Sequence, residues 1–99
     1  MTFGDRFAEN LIGYRNRAGL TREGLGHRAS VHSTTIELLE SGRRAPKLDT
    51  LVRLAGALSI TPGDLVEGIT WRPGYVGDGP GRYQLSPDDS TAARSRAEP

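Results

Sequence analysis

Few side chains in this 99-residue chain have the type and spacing for covalent chemistry. His27 and His32 are the only histidines, five apart across a turn, and no neighbouring pair of residues completes a metal site or a nucleophile triad. With no cysteine there is no thiolate zinc site, no cysteine nucleophile and no disulfide framework, a usage compatible with a reducing cytosol. The glycines of GYVGDGPG lack the Gly-Lys-Ser/Thr ending of a phosphate loop and do not open a helix. These absences point away from an enzyme and imply neither a cofactor nor a metal. What remains is the non-covalent chemistry of a basic surface. Residues 15 to 53 carry eight basic and four acidic side chains, a net +4, and the rest of the chain carries five and eight, a net −3. The formal total of +1 therefore conceals a basic middle suited to phosphate between acidic flanks that limit non-specific adhesion.

Helices must position that middle. Apolar residues recur at helical spacing up to about residue 67, whereas residues 68 to 99 hold five glycines, four prolines and few aliphatics. Thr2 and Asp5 predict the cap of a first helix running to about Arg17, with Phe3, Phe7, Leu11 and Tyr14 or Ala18 as its apolar stripe and Gly19 as its stop. Thr21 caps a short second helix through Ala29, weakened by Gly24 and Gly26 by about 1 kcal/mol each, so packing must hold it. A third helix, Ser33 to Ser41, turns Ile36 and Leu39 inward with Val31, and leaves Ser33, Thr34, Glu37, Leu38 and Ser41 on the other side. After the basic loop of Arg43, Arg44 and Lys47, a fourth helix buries Leu48, Leu51, Leu54 or Ala55, and Leu58. A short fifth opens on Thr61, Pro62 and Asp64.

The expected architecture is all-α: a compact five-helix domain over residues 1–67, a β-hairpin or extended appendage over 68–85, and a disordered tail over 86–99. Ile69 to Trp71 and Arg82 to Leu85 are the two β-prone runs of the appendage. Acidic residues stand where a signal peptide needs basic ones, and no apolar run approaches the ~18 residues of a membrane span, so the expectation is a soluble cytoplasmic protein.

Several elements agree in register: RNRAGL at 15 to 20, Thr21 and Leu25, Val31 and Ile36 about a turn, Glu40 and Gly42, then Arg44, Pro46, the LDTL of 48 to 51, Ala55, Leu58 and Leu65. Over Leu11 to Val66 this pattern resembles the helix-turn-helix of the phage-repressor and Cro-like (XRE) family of DNA-binding proteins. With twelve arginines to one lysine, it also fits a bacterial source. The resemblance implies a sequence-specific double-stranded DNA-binding transcriptional regulator, its recognition helix in the major groove, acting as a homodimer on a palindromic operator. It assigns base contacts to Ser33, Thr34 and Leu38, with His32 and Glu37 beside them. It assigns phosphate contacts to Arg22, which replaces a glutamine usual in the family, and to Arg43, Arg44 and Lys47. It implies a partly buried salt bridge between Arg15 and Glu40.

Three positions depart from the pattern: Ser30 stands where the turn usually has a left-handed glycine, Gly26 where alanine is usual, and His32 where a serine or threonine cap is usual. An antitoxin-like or other protein-binding role on the same fold is the alternative reading. Trp71, Tyr75, Tyr83 and Leu85 supply an aromatic-rich surface for a protein partner or for dimerisation. Packing of this segment onto the fourth and fifth helices, and self-association through it, both stay open.

Overall fold

Reciprocal caps start the first and last helices. In the computed structural model, which describes residues 1–74 and 79–86, the Asp5 amide donates to Thr2 Oγ1 at 3.2 Å and the Thr2 amide to Asp5 Oδ2 at 3.0 Å. Helix α1 (Phe3–Arg17) follows and ends at Ala18 and Gly19. Thr21 accepts from the Gly24 amide at 2.9 Å and opens α2 (Arg22–Ala29). Helices α3 (Ser33–Glu40) and α4 (Leu48–Ala57) come next, and Thr61 with Asp64 repeats the reciprocal cap at α5 (Pro62–Leu65).

All five helices feed one core. Phe7 and Leu11 of α1, Leu25 of α2, Ile36 and Leu39 of α3, Leu54 of α4 and Leu65 of α5 are fully buried. Removing one such leucine to the β-carbon costs about 2–5 kcal/mol. Asn10 ties the far end of this core together: its Nδ2 donates at 3.0 Å to the carbonyls of both Leu65 and Glu67, satisfying backbone that α5 leaves open. The expectation for Leu48 fails, since it is 77% exposed. It sits about a quarter turn from the line through Leu54 and Leu58, on the first turn of α4, where the core has ended.

Strands β1 (Ile69–Arg72) and β2 (Arg82–Leu85) pair antiparallel, with Ile69 opposite Leu85 and Trp71 opposite Tyr83. A two-stranded sheet is marginal alone. This one is held by Ile69, which packs on the core, and by a run of rings. Phe3 stacks with Phe7 at 6.4 Å, Tyr83 tilts onto Phe3 at 5.1 Å, and Trp71 meets Tyr83 edge-on at 5.1 Å. The ring contact is thus with α1 rather than with α4 and α5, the first of the two arrangements that the sequence leaves open. Tyr75 and the tail beyond Ser86 lie outside the described residues. Among the described residues no helix is long and apolar enough to cross a membrane.

Candidate nucleic-acid interface

The turn between α2 and α3 decides how α3 is presented. Ser30 takes the left-handed conformation at φ 56°, as its position in the turn requires, and the Val31 amide donates to the Gly26 carbonyl at 2.9 Å. Gly26 is buried, and a β-carbon there would sit 2.5 Å from the Val31 carbonyl and 3.4 Å from Ile36 Cδ1. The glycine therefore permits an approach of α2 to the turn that alanine would oppose. His32 occupies the N-cap of α3 without a side-chain hydrogen bond, so its imidazole is not spent on capping.

A buried carboxylate anchors the other end of α3. The Glu40 side chain is 1% exposed, and Arg15 Nε donates to its Oε2 at 2.6 Å. Arg15 Nη2 donates to Glu40 Oε1 at 3.1 Å, and Arg15 Nη1 reaches the Leu20 carbonyl at 2.9 Å. The implied Arg15–Glu40 bridge is present. The sequence did not anticipate a second cation: Arg22 Nε donates to Glu40 Oε1 at 2.9 Å. That hydrogen bond raises the pKa of Arg22 and keeps it charged. Half of the Arg22 side chain stays exposed, so the guanidinium is fixed from behind and open in front. Gly42, at φ +80°, follows the helix and lets the backbone come against Asp5 of α1.

With its inner side held, α3 turns the remaining residues outward. His32, Thr34 and Glu37 are exposed, and Ser33 and Leu38 are half-buried. Ser33 and Glu37 line a shallow depression together with Arg15, Thr21, Arg22 and Glu23, so the first turn of α2 and the outer face of α3 form one surface. His32 and Ser33 line a neighbouring depression with Glu23, His27 and Ser30. Thus Ser33 and Glu37 are brought together with Arg22, and His32 lies beside them, whereas Thr34 and Leu38 line neither depression. Arg43, Arg44 and Lys47 are all exposed on the loop after α3, and Arg44 and Lys47 flank a groove with Thr35 and Thr50. Glu23, His27 and Thr35 were not singled out. His27 stands four residues from Glu23 and Thr35 three from Leu38, a helical step that could have found them, whereas Glu23, adjacent to Arg22 in sequence, gave no such signal.

Trp71 and Tyr83 of the aromatic surface are 56% and 54% exposed, and Leu85 is half-buried. They belong to the hairpin rather than to the α2–α3 surface.

The helix-turn-helix domain family model matches residues 6–67, more than half of the chain, and leaves the hairpin outside the match. No curated protein sequence matches the chain. The fold is similar to that of the restriction-modification controller protein C.AhdI from Aeromonas hydrophila, at 29% identity and a TM-score of 0.61, covering 63% of this chain and 94% of that one. It is also similar to the clp gene regulator ClgR from Corynebacterium glutamicum, at 21% identity and a TM-score of 0.63, covering 67% and 70% of the two chains. Hydroxypropylphosphonic acid epoxidase from S. wedmorenis shares the fold at 24% identity and a TM-score of 0.62, but the likeness spans only 37% of that enzyme. The capped helices, the left-handed turn at Ser30 and the family match agree. The chain belongs to the helix-turn-helix domain family, of the phage-repressor and Cro-like (XRE) type.

Proposed function

We propose that the chain reads a specific sequence of double-stranded DNA, with α3 in the major groove, and regulates transcription as a homodimer on a palindromic operator. The observation that carries this reading is the contrast between the two sides of α3. One side is locked by Ile36, Leu39 and the doubly paired Glu40, and the other offers Ser33, Thr34, Glu37 and Leu38 towards solvent, with the exposed Arg22 beside Ser33 and Glu37 and three more exposed cations on the loop that follows. Hydroxyls donate to or accept from base edges, a carboxylate accepts from a cytosine amino group, and a leucine covers a thymine methyl. Arg22, Arg43, Arg44 and Lys47 bind phosphates and fix the register. Two such modules read half-sites about 34 Å apart. In this reading residues 1–67 are the DNA-binding domain and 68–85 an appendage to it. The controller role in the name of C.AhdI supports a regulator.

Arg44→Ala tests the phosphate role and Thr34→Ala the base role. The first weakens binding across all sequences and reduces the salt slope by about one unit; the second relaxes preference at one base pair while leaving that slope alone. If both variants keep wild-type affinity and preference, α3 is not the reading element. A protein-partner role on the same fold is favoured by one observation, the half-exposed Trp71 and Tyr83 pair. Under that reading, Trp71→Ala abolishes capture of the partner and leaves DNA affinity unchanged.

A further inference from the structure

Helix α4 has an outer face that the core does not use. Leu48 is 77% exposed and Val52, one turn on, is 52% exposed. Gly56 continues the same row at a further step of four, and nothing lies within 4 Å of where its β-carbon would be. The row is therefore a ridge that falls from a large side chain to none. Beside Gly56 is an open concavity bordered by Arg28, Ala29, Arg53 and Ala57. Asp49 and Arg53 flank the ridge, both exposed, with their charged groups 3.8 Å apart.

This pattern is complementary to itself. Turning a second helix end for end about a two-fold axis near Val52 brings Leu48 of one copy towards Gly56 of the other, twice. Val52 then meets its own counterpart. A two-fold axis of that kind also lays the acidic end of one flank against the basic end of the other, so that Asp49 faces Arg53 across the contact in both directions. Rows at steps of four are the ridges that interdigitate when helices pack, and an isologous contact needs each residue to meet its partner reciprocally.

We propose that the outer face of α4 is the contact through which two copies of this chain dimerise, with the Leu48 side chain of each seated in the concavity beside Gly56 of the other. The inference rests on the dimeric reading above and supplies its interface. One helix pair covers less than the ~1,200 Å² of a standard stable interface, so the dimer dissociates on dilution. The position of α4 directly after the basic loop keeps both loops near the two-fold axis.

The test uses the full chain without DNA. It contains no cysteine, so Val52→Cys introduces a single thiol on the proposed axis, and Asn16→Cys on exposed α1 serves as control. Under mild oxidation at micromolar concentration, Val52→Cys forms a disulfide dimer at least about tenfold faster than Asn16→Cys, and sedimentation shows a wild-type dimer. Asp49→Arg and Arg53→Asp each raise the dimer dissociation constant by about tenfold, and the two together restore it. Equal cross-linking rates, or a wild-type chain that stays monomeric at these concentrations, overturn the proposal and leave the ridge to another protein. So does a dimer indifferent to either charge reversal. DNA binding is scored separately in the same preparations: a chain that binds its operator yet fails these criteria overturns this face alone, and a chain that dimerises here but binds no DNA overturns the functional reading alone.

Discussion

At the scale of single residues, Glu40 ties α3 to α1 and α2. A carboxylate removed from water needs charge and hydrogen bonds to stay ionised, and Glu40 has Arg15 from α1 and Arg22 from α2. The two arginines are not equivalent. Arg15 is 13% exposed and bonds with both sides of its guanidinium, so Arg15→Ala destabilises the fold by roughly 3–5 kcal/mol, measurable by urea unfolding. Arg22 is half exposed, so Arg22→Ala costs much less stability and shows chiefly as weaker DNA binding with a shallower salt dependence. Asp5 gives a pH signature. The Thr2 amide, then the Thr2 hydroxyl, hold its pKa below the ordinary value of 3.8. A depressed carboxylate pKa contributes stability that is complete above the unfolded value and is lost as pH falls through the folded one. The melting temperature of the wild type should therefore exceed that of Asp5→Asn at neutral pH, and the gap should close as pH drops below 3.8.

At the scale of elements, the α2–α3 turn is built from residues that fit it unequally. Ser30 sits in a left-handed conformation that costs a side chain roughly 1–2 kcal/mol, so Ser30→Gly should stabilise the chain by about 1 kcal/mol without altering base preference. Gly26→Ala should do the reverse. Its added carbon meets the Val31 carbonyl, which costs about 1–3 kcal/mol and re-aims α3, so stability and operator preference change together. The caps, the helix order and the inward stripes were legible in the sequence because Thr2 with Asp5, Thr21, and Thr61 with Asp64 are local signals, and local signals survive into the fold. The Arg15–Glu40 bridge came from the family resemblance. Leu48 stands three residues before Leu51, as a buried stripe would have it, but about a quarter turn from Leu54 and Leu58, and at the first turn of α4 it falls past the edge of the core. The contact of Tyr83 with Phe3 and that of Arg22 with Glu40 join residues far apart in sequence, and no periodicity encodes such pairs.

For the whole molecule, the distribution of charge matters more than its sum. A basic middle of +4 within a chain of +1 places cations on both sides of α3 in sequence, with Arg43, Arg44 and Lys47 on the loop after it and Arg15, Arg17, Arg22 and Arg28 before it. Binding to any DNA should weaken steeply with salt, and two copies should double the number of phosphates engaged. The central claim is that α3 of each copy reads one half of a palindrome. Selection of genomic fragments with the purified full chain, run in parallel with Thr34→Ala, tests this most directly. The account predicts enrichment of an inverted repeat with half-site centres about one helical turn apart, and loss of preference at one symmetric pair of positions in the variant. Enrichment of no motif, or of a motif that Thr34→Ala, Glu37→Ala and Ser33→Ala all leave unchanged, would contradict it.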